Sequence, residues 1–212
     1  MKDKLIKVLQ TLSIAEKLKF ELRHSWLSSG RQESVAEHTW RMSLIAILLE
    51  PYLEKPIDIA KTLKMIIIHD LVEAVYKDIP AFDTMNNEAL KQVKSLKERE
   101  AIEKIKNTLD KELGQHVHDL WHEFEDKVSY EAKVANAIDK LEVQLQHNEA
   151  DISTWLEIEH EMLFMMDKHV DFDKTLQQFK DIIELAGEQK LNKAGIDTVQ
   201  IKQKIKELNN QI

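Results

Sequence analysis

A chain of 212 residues, 43% of them hydrophobic, suffices for one domain around a single core, and four glycines and three prolines are few for a protein built from tight β-turns. A formal net charge of -8 argues against a broad electrostatic grip on nucleic acid, so the expected partner is a small molecule with at most a local phosphate pocket. With no cysteine, disulfides and thiolate ligands are excluded, and any metal must be held by imidazole and carboxylate. Leu, Ile, Lys, Glu and Ala are plentiful, as helices favour, and the chain reads as all-α. The N-terminal MKDKLIKVLQ is amphipathic rather than a signal peptide, and no apolar run approaches the roughly 18 residues of a bilayer span. A soluble cytoplasmic protein with no membrane partner is the expectation.

Helical periodicity predicts helices near 2–20, 35–50, 58–77, 86–112, 115–125, 129–150, 153–168, 171–187 and 197–209. Between the first two, Arg23 to Glu33 reads as an irregular polar loop containing Gly30. The second helix opens on Ser34-Val35-Ala36-Glu37, a capping box that puts His38 in the first turn. Asp58, Ser129, Ser153 and Asp197 are candidate caps of later helices, and Pro51, Pro56 and Pro80 fall between or beyond helices. Trp40, Trp121 and Trp155 sit beside aliphatics and are expected in the core, with Met162, Met165 and Met166 as core or interface filler. The alternating Lys and Glu of 91–106 read as a solvated face. Residues 1–190 are expected to form the domain. Residues 191–212 form an amphipathic helical extension, with Ile196, Val199, Ile201 and Ile205 available to dock on that domain or on a second subunit.

The chemistry starts at His38, whose helical stripe-mates Val35, Met42, Ile45 and Leu49 are all apolar, so its imidazole points inward. His69 and Asp70 end the run Met65-Ile66-Ile67-Ile68, whose continuous apolarity marks a buried helix. Asp139 shares its stripe with Ala132, Ala135 and Val143. Any one of these alone is more often a hydrogen-bonded core residue. Two buried carboxylates and two inward histidines together have one economical explanation, a divalent cation, and mixed nitrogen and oxygen ligation suits Mn, Co, Fe, Ni, Zn or Mg.

Glu73 follows His69 by four and Asp70 by three, which puts its carboxylate on the same side of the helix, where it can orient water beside the cation and move its proton. Asp78, in Lys77-Asp78-Ile79-Pro80, ends the helix and can hydrogen-bond a sugar hydroxyl. A second His-Asp pair, His118-Asp119, lies in HVHDLWHEFED (116–126), where His118 and His122 are four apart and spaced for a metal. Its surroundings are polar and acidic, so it reads as a solvated face with Leu120, Trp121 and Phe124 turned inward.

From Leu18 to Leu156 the sequence resembles the HD-domain phosphohydrolases, within them the 5′-deoxynucleotidase-like branch. The resemblance is carried by Arg23-His24-Ser25-Trp26, Glu33-Ser34-Val35-Ala36-Glu37-His38, His69-Asp70-Leu71-Val72-Glu73 running on to Asp78-Ile79-Pro80, and Asp139-Lys140-Leu141-Glu142. It implies that His38, His69, Asp70 and Asp139 are ligands of one divalent metal ion and that Glu73 is the catalytic acidic residue beside the nucleophilic water. Arg23 and Trp26 would help recognise the nucleotide and exclude a ribose 2′-hydroxyl, Asp78 would contact the sugar, and the protein would be a homodimer. Such exclusion has a physical basis, since a hydroxyl buried unpaired costs about 1–3 kcal/mol. Hydrolysis of deoxyribonucleoside 5′-monophosphates is the expected activity. The alternatives are hydrolysis of another nucleotide or phosphate ester, triphosphates included, and a non-catalytic module that senses nucleotide or metal.

Overall fold

The structure, a computed structural model of the chain, describes residues 1–76 and 87–209. In chain order they form α1 (Lys2–Ala15), a 3-10 turn (Glu16–Lys19), β1 (Leu22–Trp26), β2 (Gln32–Ser34), α2 (Val35–Leu49), a second 3-10 turn (Glu50–Tyr52), α3 (Ile59–His69), a third 3-10 turn (Asp70–Ala74) and α4 (Glu88–Thr108). There follow α5 (Lys111–Asp126), α6 (Tyr130–Glu149), α7 (Glu157–Met162), α8 (Asp167–Val170), α9 (Lys174–Lys193) and α10 (Thr198–Asn209). The all-α expectation holds, and no helix among the described residues is long and apolar enough to cross a membrane.

Short polar side chains set the helix starts. Ser34 Oγ accepts from the Glu37 amide at 3.3 Å while Glu37 Oε2 accepts from the Ser34 amide at 2.9 Å, and this reciprocal cap opens α2. Asp58 accepts from the Lys61 amide ahead of α3, Ser129 from the Ala132 amide ahead of α6, and Asp197 from the Gln200 amide ahead of α10. α6 is the central helix and packs against α2, α3, α5 and α9. Its buried face, with Ala135, Ile138 and Leu141, meets Met42 of α2 and Met65 and Ile66 of α3, all fully buried. Side chains of this size stabilise by about 1.5–3 kcal/mol each when taken from water, enough to fix where α2, α3 and α6 meet.

The structure departs from the expectations at several places, and the helix expected over 2–20 already ends at Ala15 and tightens into a 3-10 turn. The loop over 23–33 contains a two-stranded antiparallel hairpin, because the chain turns at Gly30 (φ +85) and β1 and β2 can then satisfy each other's amides. The helix expected over 58–77 ends at His69 and tightens into the 3-10 turn from Asp70. The helix expected over 153–168 is split into a 3-10 turn, α7 and α8, and there Asp151 rather than Ser153 supplies the capping oxygen. Trp40 is 66% exposed instead of buried, and Leu44, Ile47 and Leu48 continue an apolar stripe along the outer side of α2. Trp121 and Trp155 are in the core as expected.

Candidate metal centre

His38 comes from the first turn of α2, His69 from the last residue of α3, Asp70 from the 3-10 turn that follows, and Asp139 from the middle of α6. His38 is fully buried, with His69 5% and Asp139 7% exposed. Their heads converge: His38 Nε2 lies 3.2 Å from Asp139 Oδ1, His69 Nε2 lies 3.1 Å from Asp70 Oδ2, and His38 Nε2 is 3.9 Å from that same Asp70 oxygen. One ligand atom each from His38, His69 and Asp139 falls within a 4.8 Å group.

Neither Nε2 atom makes an aligned hydrogen bond, although both are buried. The other ring nitrogens explain why. His69 Nδ1 faces the Ile66 carbonyl at 2.6 Å, and because a carbonyl only accepts, this nitrogen carries the proton and leaves the Nε2 lone pair open. His38 Nδ1 makes a short contact with Glu142 Oε2 that has the same effect. Two imidazoles with Nε2 aimed among carboxylate oxygens form a donor set that fits a divalent cation, with the far nitrogens held by acceptors as metal-binding histidines usually are.

The charges agree with that reading. Burial pushes Asp70 up, but His69, Arg23 and His38 more than offset it and hold the carboxyl below its ordinary range. Burial acts likewise on Asp139, and Lys140 and His38 hold it well below its ordinary value. Lys140 Nζ contacts Asp139 Oδ2 at 2.7 Å, so Oδ1 is the oxygen turned to the centre. Burial and Arg23 push the His38 imidazole down, yet Glu142 and Asp139 raise it to about 9, so proton and cation compete for one lone pair.

Glu142 closes the motif Asp139-Lys140-Leu141-Glu142, where the sequence alone assigns it no role. It is fully buried, three residues beyond Asp139 on the same face of α6, and its other oxygen lies 3.8 Å from Arg41 Nε. A charged residue on a buried stripe, one turn from a candidate ligand, was the signal that could have found it. Glu33 is buried beside it, and burial together with the Glu142 charge pushes its carboxyl up to about 7. Trp121, read as core, also donates its indole N–H to the His69 carbonyl at 3.0 Å and so fixes the end of α3.

The centre forms part of the wall of a cavity of about 520 Å³, and Arg23, Glu73, Asp70, Asp139 and Lys140 line it. In the 3-10 turn, residues three apart are eclipsed, so Asp70 and Glu73 face the cavity together, by a different geometry from the helical stripe expected. Arg23 reaches Asp70 Oδ2 at 3.4 Å and Glu33 at 3.8 Å. The cavity continues past Gln144 to a polar end where Glu159 lies 3.3 Å from His24 Nε2 and 3.6 Å from His147 Nε2. Trp26 is not brought to the cavity wall, and its carbonyl accepts from Gln146 at 2.7 Å. Asp78 lies outside the described residues.

Fold and donor set define a class: all-helical proteins that gather histidines and aspartates from separate helices at one wall of a substrate-sized cavity. The HD domain family model matches residues 15–180, and the chain belongs to that family. The 5′-deoxynucleotidase HDDC2 of Dictyostelium discoideum is 35% identical over 145 residues, covering 65% of this chain and 74% of that protein. The protein of the same name from Homo sapiens is 28% identical over 185 residues, covering 85% and 83%. Among solved structures, a predicted metal-dependent phosphohydrolase from Magnetospirillum magnetotacticum shares the fold with a TM-score of 0.77 at 23% identity, over 92% of this chain and 98% of that one. The PH0347 protein of Pyrococcus horikoshii superposes with a TM-score of 0.63 at 26% identity, over 85% and 98%.

Proposed function

We propose that this protein is a metal-dependent 5′-deoxynucleotidase that releases phosphate from deoxyribonucleoside 5′-monophosphates. The observation that carries the reading is the pair of buried Nε2 atoms, neither in an aligned hydrogen bond, among the carboxylate oxygens of Asp70 and Asp139, at the wall of a cavity that also holds Arg23 and Glu73. The names of the relatives that span most of this domain support the substrate class.

His38, His69, Asp70 and Asp139 would hold the cation, with Glu142 and the Ile66 carbonyl orienting the two imidazoles. Such a cation supplies Lewis-acid stabilisation of charge on the phosphoryl oxygens and makes nearby water more acidic. Glu73 orients the attacking water and accepts its proton as the new O–P bond forms. The bond from phosphorus to the 5′-oxygen breaks, and that oxygen takes up a proton to leave as the nucleoside hydroxyl. Arg23 offers its planar donors to the phosphate while Glu33 steadies its Nε side. The nucleoside then extends toward Gln144, His147 and Glu159. The sugar contact of Asp78 and the exclusion of the 2′-hydroxyl by Trp26 rest on motif resemblance. Residues 1–190 act as the catalytic unit in this reading, with 191–212 as an extension whose Lys204 pairs with Glu161 at 2.5 Å. The exposed stripe of Trp40, Leu44, Ile47 and Leu48 supports a homodimer, which light scattering of the wild type against Trp40→Glu would test.

The test is phosphate release from matched deoxy and ribo mono- and triphosphates with Mn, Co or Mg. Cation-dependent release from deoxy monophosphates in preference to the others is expected. Equal turnover of ribonucleotides, or turnover of triphosphates alone, overturns the substrate assignment.

A further inference from the structure

Lys140 is a cation beside the centre both in sequence and in space. Asp139 turns Oδ1 to the centre and holds Lys140 Nζ on Oδ2 at 2.7 Å, while Arg23 stands 3.4 Å from Asp70 Oδ2. Each of the two candidate ligand carboxylates therefore carries a side-chain cation, and both cations line the cavity. We propose that Lys140 is a further catalytic residue, a second phosphate-binding cation that donates to the phosphoryl group from the Asp139 side as Arg23 does from the Asp70 side. The proposal rests on the phosphohydrolase reading above and deepens it.

The ammonium group has donors to spare. A lysine head carries three N–H donors, and Asp139 takes one. No other carboxylate lies within ion-pair distance of it among the described residues, and its side chain is 40% exposed at the cavity wall. Lys127, which ends α5, and Lys168 of α8 line the same cavity. Burial, and then the charges of Lys140, Lys168 and Lys127, push the His169 imidazole there down to about 4. Three ammonium groups thus gather about one neutral ring in a chain whose net charge is -8. Like charges brought together at a cavity wall favour an anion inside it.

The phosphoryl group matches this arrangement. During transfer its charge spreads over three equatorial oxygens, and Arg23 and Lys140 supply partners for two of them beside the cation. Arg23 offers a planar fork, whereas Lys140 is a point charge on a flexible stem that can follow an oxygen as the phosphorus moves toward the attacking water. A lysine that only neutralised Asp139 would behave differently. Its removal would free the carboxylate to hold a metal ion more tightly and would leave phosphate binding unmoved.

The chain has no cysteine, so Lys140→Cys carries its single thiol, and alkylation with bromoethylamine restores an ammonium group at that position. The experiment measures binding of orthophosphate, the product, to the full chain at saturating Mn by calorimetry. It compares the wild type, Lys140→Gln, and Lys140→Cys before and after alkylation, with Mn affinity measured separately in the absence of phosphate. Orthophosphate affinity should fall about 10–100-fold in Lys140→Gln and in unalkylated Lys140→Cys, and alkylation should recover it. Mn should bind both variants at least as tightly as the wild type, and kcat/KM for a deoxyribonucleoside monophosphate should fall with the phosphate affinity. Because the probe is phosphate itself, a failure to turn over deoxynucleotides would count against the substrate assignment and leave this test intact. Orthophosphate affinity unchanged in both variants, or lost without recovery on alkylation, overturns the proposal.

Discussion

Glu142→Gln isolates the support of the metal centre from the centre itself. Glu142 is fully buried and its Oε2 accepts from His38 Nδ1, so it fixes both the orientation of the ring and the lone pair on Nε2. The amide keeps the shape and one acceptor oxygen but loses the charge that makes His38 a strong donor. Removing an outer carboxylate of this kind costs about 10–100-fold in metal affinity, or roughly 1.4–2.7 kcal/mol. Arg41 is not orphaned, because its guanidinium still reaches Gln146 at 2.7 Å and Glu149 at 2.6 Å and 2.8 Å, so the loss concentrates on His38. Glu142→Leu goes further and leaves the buried Nδ1–H without an acceptor, adding about 1–3 kcal/mol of destabilisation. The assay is phosphate release against free Mn concentration, with urea unfolding of the metal-free proteins alongside. The half-maximal Mn concentration should rise 10–100-fold in Glu142→Gln, with turnover at saturating Mn near the wild-type value. An unshifted Mn dependence in a folded variant would refute the argument that Glu142 orients His38.

Further expectations follow from single residues. Glu73→Gln should lower kcat by about 10²–10⁴ without changing metal content, checked by steady-state kinetics and elemental analysis. Burial holds His147 down to about 4, so between the ordinary value of 6.5 and that pH the unfolded chain binds a proton the folded chain refuses. Stability present above about pH 6.5 is therefore lost as pH falls toward 4, by up to about 3 kcal/mol, and His147→Gln should flatten this dependence in urea titrations at pH 7 and 4.5. A Cβ at Gly114 would lie 2.3 Å from the Lys106 backbone oxygen, which cannot swing aside. Gly114→Ala should therefore lower stability by about 1–2 kcal/mol in a thermal melt, the clash outweighing the gain in helix propensity.

The candidate cluster was legible because burial and charge conflict in the sequence itself. His38, His69, Asp70 and Asp139 stand on apolar helical stripes, and the structure brings their heads together. What stayed hidden depends on distances between segments. The Glu142 contact with His38 spans 104 residues, so it has no local signal. The hairpin over 22–34 escaped because its strands are too short to show alternation, and the break at Asp70 because a 3-10 turn continues the same apolar pattern. Trp40 misled because its aliphatic neighbours Leu44, Ile47 and Leu48 are exposed with it, an apolar stripe that reads as core in any single chain.

The most direct test of the account is a crystal grown with Mn and measured at a wavelength where Mn scatters anomalously. One peak should lie within bonding distance of His38 Nε2, His69 Nε2 and the carboxylates of Asp70 and Asp139, in a protein that releases phosphate only when the ion is present. A cation bound elsewhere while those four heads remain paired with one another, or full activity in the presence of excess chelator, would contradict it.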